Sequence, residues 1–433
     1  MKVYLDWVGC KLNEAELERY AAQLRMAGHD LVPSPEEADL VIVNTCAVTG
    51  EAASDSRGKI RNAARRSNAR IVATGCWATL DPSSAATLPN VEWVINNLDK
   101  DDLVSQVLDL ESSVFDQEPI ARQPLPGAHS RTRSFIKVQD GCDNFCTYCI
   151  TRLARGKGRS RLAGDVLRDV LAAQAGGVQE VVLTGVHLGS WGSDFPEPGT
   201  VADLVRFLLA ETDIPRIRLS SIEPWDLEED FWSLWENGRI CRHVHLPLQS
   251  GSSAVLKRMA RKVTPESFFA MISDIRRSIP QMAITTDVIA GFPGETNAEF
   301  EETLQFVEKV QFSGGHVFTF SPRPGTAAER MPDPVPMPVR KERNARLRAL
   351  FASAVESYHR QFIGEVLPVL WESTDLLGAQ GWRLHGLTGN NLRVTALAPQ
   401  RLWNQITPVH LDALTPDGLS GVILWQGPDQ STE

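Results

Sequence analysis

No apolar run in the 433 residues reaches the roughly 18 needed to cross a bilayer, which excludes a helical membrane span. The opening residues, MKVYLDWVGCKLNE, lack the charged-then-apolar pattern of a secretory leader, so a cytoplasmic protein with no membrane partner is expected. Cysteine is scarce: seven residues exclude a disulfide-built scaffold and suit a reducing compartment in which thiols stay free to ligate. Basic residues are outnumbered, 44 Lys and Arg against 54 Asp and Glu, and the net charge of −10 excludes a uniformly cationic nucleic-acid binder. The deficit is uneven. Residues 1–112 carry 11 basic against 17 acidic side chains, 113–362 carry 30 against 30, and 363–433 carry 3 against 7. Local basic clusters at Arg57–Arg70, Arg152–Arg161, Lys257–Lys262 and Arg340–Arg348 suit solvated helix faces and permit a local RNA footprint. The length allows two or three domains.

What the chain does have is Gly141-Cys142-Asp143-Asn144-Phe145-Cys146-Thr147-Tyr148-Cys149-Ile150, three thiols at Cys-x3-Cys-x2-Cys spacing. A tight loop of this spacing aims three sulfurs at three irons of a cubane cluster and leaves the fourth iron for a small molecule. A structural zinc site would need four ligands, commonly in two pairs, and no Cys-x2-Cys or His pair follows. The motif, with an aromatic before its last Cys, resembles the radical S-adenosylmethionine (SAM) superfamily. The longer string GCDNFCTYCITRLARGKGRSR is similar to the methylthiotransferases within it.

Residues 1–112 alternate apolar runs with helical patterns. Strands are expected at 2–8, 38–43, 69–73 and 91–95, and helices at 14–27, 54–67 and 100–110. This alternation predicts a parallel, flavodoxin-like α/β domain. Cys10, Cys46 and Cys76 each fall just past a strand's last apolar residue, where an open α/β sheet places its ligands. Free Cys also packs as a small hydrophobe, but three strand-end placements together favour a second ligand set. GCKLN, NTCAVT and TGCWA look like the three cysteine motifs that hold an auxiliary 4Fe–4S cluster in the methylthiotransferases. Residues 113–131, with Pro119, Pro124, Pro126 and Gly127, read as a linker.

Six strand-like runs in 132–362, at 135–139, 180–183, 216–219, 243–248, 283–289 and 316–320, alternate with helices. Six units fall short of a closed eightfold barrel, and the resemblance implies the partial (β/α)6 barrel of radical SAM enzymes. It also implies SAM contacts at the strand ends: Thr184 and Gly185 toward the amino group, Ser220 and Glu223 toward ribose or amine, Gln249 after the fourth strand, and Gly291 and Glu295 on the adenine side. The second strand end lacks the acidic residue of the common Gly-Gly-Glu form. His187, His243 and His245 are read as satisfied polar residues and Cys241 as packing. Residues 363–433 show five short strand patterns between turn residues, predicting a small β-barrel similar to the TRAM domain, with Gly386–Asn391 as its matching turn. RNA binding through it is a hypothesis, because the segment is acidic.

The resemblance implies two 4Fe–4S clusters, SAM, an electron donor such as flavodoxin or ferredoxin, and a monomer. SAM bound at the open iron of the first cluster yields a carbon-centred radical; the second cluster delivers sulfur, and a second SAM supplies methyl. The motifs GCKLN, TGVHLGSWG and SSIEP look most like the branch that modifies threonylcarbamoyladenosine at position 37 of tRNA, in the anticodon loop. The other branches act on isopentenyladenosine in tRNA or an aspartate of a ribosomal protein. A different radical SAM enzyme and a cluster-bearing RNA-binding protein remain as rival classes.

Overall fold

The computed structural model describes residues 1–111, 115, 121–126, 132–227, 229–378 and 381–425. Most of the expected linker, including Pro119 and Gly127, lies outside them. No described helix is long and apolar enough to cross a membrane.

The first region runs β1 (Lys2–Trp7), α1 (Lys11–Met26), β2 (Asp30–Leu31), β3 (Leu40–Thr45), α2 (Gly50–Arg66), β4 (Arg70–Gly75), α3 (Cys76–Leu80), α4 (Pro82–Ala86), β5 (Val91–Ile95) and α5 (Leu103–Leu108). Its strands form one parallel sheet in the order β2-β1-β3-β4-β5, the flavodoxin order. Every residue of β3 is buried, as a strand covered on both faces requires. Two helices start earlier than their apolar patterns suggest. α2 starts at Gly50 because the Thr49 hydroxyl accepts from the Ala52 N–H at 3.1 Å. α1 starts at Lys11, directly behind the extended Cys10. The helix expected over 100–110 is a 3-10 turn followed by α5, which stops at Asp109 in the left-handed region.

The second region runs β6 (Arg133–Lys137), β7 (Gln139–Asp140), α6 (Thr151–Arg155), β8 (Arg159–Ser160), α7 (Ala163–Ala175), β9 (Glu180–Thr184), α8 (Val201–Glu211), β10 (Arg216–Leu219), β11 (His243–His245), α9 (Ser253–Arg258), α10 (Pro265–Ser278), β12 (Ala283–Ala290), α11 (Asn297–Val310), β13 (Gly314–Thr319) and α12 (Met337–Arg360). β6, β9 and β10 form one parallel sheet and β11, β12 and β13 another, joined by the isolated parallel bridges Ile217–Ile240 and Ser221–His245. Among the described residues no ladder returns from β13 to β6, so six strands make an open barrel. β11 is shorter than its apolar run because Pro247 has no N–H to donate. Ile136, Val181, Leu183, Ile217 and Val244 point outward into the helix-covered core. On the opposite face Phe135 and Val182 pack against Ala15, so α1 of the first region lies against the face of β6 and β9 turned away from the helices.

The last region comprises β14 (Val366–Leu376), β15 (Trp382–Thr388), β16 (Arg393–Ala398), β17 (Ile406–Thr415) and β18 (Gly418–Ile423), closed as β14-β15-β16-β18-β17. Trp371, Leu384, Val394 and Leu411 fill it. It is docked through backbone carbonyls. Arg216 donates to Leu387 O (3.1 Å) and Pro368 O (2.6 Å), and Arg218 to Thr388 O (3.1 Å) and Gly389 O (3.2 Å). The turn 386–391 therefore faces the six-stranded barrel.

Glu180 is the counter-ion of this joint. Its fully buried carboxylate meets Arg218 in a fork (2.7 and 3.2 Å), with Arg216 at 3.8 Å and Arg133 at 3.9 Å. Burial alone would raise its pKa, but the guanidiniums outweigh it and hold the carboxyl at about 2, against 4.5 when free. A depressed carboxylate contributes its stability in full above the free value and loses it as the pH falls toward the folded one. Glu180→Gln is thus expected to destabilise the chain by about 3 kcal/mol at neutral pH, because it leaves buried guanidiniums uncompensated. Thermal melts should show the gap to wild type narrowing as the pH drops from 4.5 toward about 2.

Candidate functional site

The loop 141–150 leaves β7 and enters α6, and its shape is set by the backbone. Gly141 has φ +71, and a Cβ there would lie 1.8 Å from Lys157 O, so only glycine lets the chain turn so close to the β8 side. Cys142 N–H donates to Gly156 O at 3.1 Å and Cys149 N–H to Cys146 O at 3.0 Å. Thr147 fastens the middle of the loop: its N–H reaches Met259 O (3.1 Å), its hydroxyl Arg258 O (2.9 Å), and its carbonyl accepts from Ala328 N–H (2.8 Å). Tyr148 packs beneath, against Phe292, Phe320, Val255 and Met259.

Neighbouring strand ends are tied to this loop. The Gln139 amide donates to Gly141 O at 2.9 Å while its carbonyl accepts from His187 N–H at 2.8 Å, which links the Thr184-Gly185 turn to the cysteines. A Cβ on Gly185 would meet that Gln139 side chain at 3.1 Å. Glu223 is engaged in a fork by Arg261 (3.0 and 2.7 Å), and Arg261 also approaches Cys146 Sγ at 4.0 Å. Ser220 is buried, and its hydroxyl has no partner among the described residues. Gln249 adopts φ +80 and bridges to β12 through its backbone. Glu295 lies behind this surface, its carboxylate accepting from Gly291 N–H (2.9 Å) and Arg343 (2.7 Å). That pairing anchors the Gly291 turn to α12.

The first region's thiols collect at one edge. Cys10, Cys46 and Cys76 follow β1, β3 and β4, three adjacent strands, all at the carboxyl ends. A Cβ on Gly9 would lie 2.6 Å from Cys46 Sγ, which shows how near the first two loops run. Asn13 donates to Val8 O (2.8 Å) and Thr45 O (3.2 Å), and its carbonyl lies 3.8 Å from Cys10 Sγ. Asn97 donates to Cys76 Sγ at 3.6 Å and to Ala154 O of α6 at 2.8 Å. Burial pushes the Cys46 thiol up to about 12, and Cys10 and Cys76 act in the same direction, as mutually repelling thiolates would. Burial likewise pushes Cys149 up to about 11, with Cys146 and Cys142 adding to it.

Each triplet offers three thiols, the donor set of a cubane cluster with one open iron. Among the described residues no three His, Cys, Asp or Glu side chains converge tightly enough to hold one metal ion. A cubane's thiolates bind different irons and need a wider triangle. Cys241 joins neither set; its sulfur lies 3.7 Å from Glu180. His187 contacts Asp226 (2.5 Å) and Asn144 (3.2 Å), and His243 and His245 both contact Thr285 (2.9 and 3.0 Å). Burial alone would lower the His187 pKa, but Asp226 and Cys142 hold it up at about 10. Arg261, Asp226 and Asn97 were not visible as site residues in the sequence, because each reaches the site only through tertiary packing.

An open six-stranded parallel barrel with a three-thiol loop after its first strand defines a radical SAM protein, here joined to a flavodoxin-like domain. Residues 136–307 match the Radical SAM superfamily and residues 2–96 the Uncharacterized protein family UPF0004. The chain is 39% identical over 378 residues to the threonylcarbamoyladenosine tRNA methylthiotransferase MtaB of Thermotoga maritima, covering 86% of each. It is 34% identical to the protein of that name from Bacillus subtilis, over 93% of this chain and 92% of that one. It is 32% identical to a tRNA-2-methylthio-N(6)-dimethylallyladenosine synthase of Anoxybacillus flavithermus, over 95% of this chain and 80% of the relative. Among solved structures the radical SAM methyltransferase TsrM of Kitasatospora setae shares the fold, with TM-score 0.55 and 15% identity, over 73% of this chain and 72% of that one. The chain belongs to the radical SAM methylthiotransferase family. Membership implies a 4Fe–4S cluster and SAM.

Gly75 offers a test of the first region's thiol edge. It has φ +90, and a Cβ there would lie 2.3 Å from Thr45 O and 2.4 Å from Asn44 Oδ1, so any side chain drives the Cys46 and Cys76 loops apart. Gly75→Ala is expected to lower iron uptake after anaerobic reconstitution, to roughly half wherever this edge holds a cubane of its own. Iron and acid-labile sulfide assays against wild type check this.

Proposed function

We propose that the chain converts N6-threonylcarbamoyladenosine at position 37 of tRNA to its 2-methylthio derivative. The observation that carries this reading is the pair of thiol triplets, each at the carboxyl ends of parallel strands and both contacting α6 or the loop that feeds it. When bound, a cluster on Cys142, Cys146 and Cys149 supplies reductive cleavage of SAM for hydrogen abstraction, and one on Cys10, Cys46 and Cys76 supplies sulfur.

The chain's own residues do the rest. Gln139 and Thr147 fix the loop that presents three thiolates. Arg261 holds Glu223 beside Cys146, and the buried Ser220 hydroxyl offers an unused hydrogen-bonding group at the next strand end. With Thr184, Gly185, Gln249 and Gly291, these form the proposed SAM surface; Glu295 acts by holding the Gly291 turn. Phe145 is 73% exposed, and the Arg152 guanidinium lies 3.8 Å from its ring centroid. Such a stacked pair beside the loop suits an unstacked anticodon base. The preference for threonylcarbamoyladenosine over isopentenyladenosine rests on the higher identity to relatives named for the former. We further infer a cytoplasmic monomer that draws electrons from a flavodoxin or ferredoxin.

About eight irons per chain are expected after reconstitution, falling to about four in a Cys142/Cys146/Cys149→Ala variant. Cys46→Ala should abolish the methylthio nucleoside while 5′-deoxyadenosine still forms with dithionite and SAM. Methylthio product from that variant would sink the two-cluster reading. Nucleoside analysis of tRNA carrying only one of the two modified adenosines separates the two substrates.

A further inference from the structure

A buried polar network connects the two thiol triplets through α6. Arg155, the last residue of α6, is 2% exposed and makes three contacts: Asn13 Oδ1 at 2.7 Å, Asp140 Oδ1 at 2.9 Å and Glu16 Oε1 at 3.1 Å. Asp140 immediately precedes the Gly141-Cys142 turn, and Asn13 lies beside Cys10. Lys100 pairs with Glu16 and lies 3.5 Å from Asp140, and Lys137 lies 3.8 and 3.7 Å from the same two carboxylates. Lys137 makes its shortest ion pair with Asp101, at 2.6 Å, and Arg155 is the cation of the set tied directly to Asn13, beside Cys10. Asn97 extends the network on the other side. Its carbonyl accepts from Lys100 at 2.9 Å, while its amide reaches both Cys76 Sγ and Ala154 O, next to Arg155. Glu16 is further held by the Asn44 amide at 2.8 Å, two residues before Cys46. All three cysteine loops of the first region therefore rest on one network.

We propose that Arg155, locked by Asn13, Glu16 and Asp140, acts with Asn97 as an electropositive brace that raises the reduction potential of the cluster held by Cys10, Cys46 and Cys76. The inference rests on the two-cluster reading above. An added electron makes a thiolate-bound cluster more negative, and a fixed cation in a low-dielectric surround stabilises that state. Arginine suits the role because it stays charged and its planar fork serves several acceptors at once. Arg155 and Asn97 are positioning residues: they reach the cluster site through the ligand loops and their field.

The test uses the full chain with its first site emptied by Cys142/Cys146/Cys149→Ala, so that one cluster is read alone. After reconstitution with iron and sulfide, the cluster is titrated with dithionite through redox mediators and followed by EPR. Arg155→Gln is expected to shift the reduced-to-oxidised ratio at the parent midpoint at least about tenfold toward oxidised, which is 59 mV for one electron. Arg155→Lys, keeping the charge, should recover most of the shift. Asn97→Asp, the same shape with a carboxylate oxygen toward Cys76, should move the midpoint the same way, and it decides the matter if Arg155→Gln does not fold. Full iron loading with an unmoved midpoint in the variants that load overturns the brace. Absence of iron in the emptied parent overturns the second cluster itself, and with it the brace.

Discussion

The constraint on which this structure turns is the buried seam between the flavodoxin-like sheet and the radical SAM barrel, where Glu16 and Asp140 sit among Arg155, Lys100 and Lys137. Five ions out of water are costly, and well-packed apolar residues would stabilise a seam at least as well. What apolar residues cannot supply is register. Glu16 belongs to α1, Asp140 to the lead-in of the cysteine loop, Arg155 to α6 and Lys100 to the turn before α5. A slip of either body would leave at least one of these charges unpaired in low dielectric, which costs far more than a few displaced methyl groups. The seam therefore fixes how the two thiol edges sit across α6, more than it holds the regions together.

Parallel sheets explain why both edges exist. A strand that ends at its carboxyl terminus points its last carbonyls and side chains into the loop layer, where polar and thiol groups escape the core. The first sheet uses this at β1, β3 and β4, around the point where its order doubles back. The barrel uses it at β6, β9 and β10, where the cysteine loop, Thr184-Gly185 and Ser220 gather. The Arg261–Glu223 fork then crosses from α9's far end to the third strand end and brings a guanidinium to Cys146. The second strand end carries no acid of its own. Asp226, from the turn after β10, reaches this loop and is bonded to His187.

What could be read from the sequence follows from how local the cause is. Cys-x3-Cys-x2-Cys is local, and so are the apolar runs of β5 and β10, whose placement matches the pattern closely. Cys10, Cys46 and Cys76 were legible at one remove, through the rule that strand ends gather. Helix starts depart from the apolar stripe where a cap sets the boundary, as at Thr49. Arg155, Asn97 and Arg261 stayed hidden because their roles depend on partners 142, 21 and 38 residues away. A buried arginine leaves no periodic trace.

The small C-terminal barrel shows the same limit from the other side. Its turn 386–391 resembles an RNA-binding surface in sequence, yet its carbonyls accept from Arg216 and Arg218, and Asn390 O accepts from Tyr358 at 3.2 Å. These donors line the end of the radical SAM barrel opposite the cysteine loop. The barrel thus works as a plug: it satisfies two guanidiniums that Glu180 alone cannot saturate, since two carboxylate oxygens face ten guanidinium N–H groups. Removing it would expose that charge cluster and change the protein's field as well as its contacts. Loss of tRNA affinity after deletion would not identify the barrel as the RNA-binding element. Substitutions on its outward face, which leave the Arg216 and Arg218 acceptors in place, isolate that role.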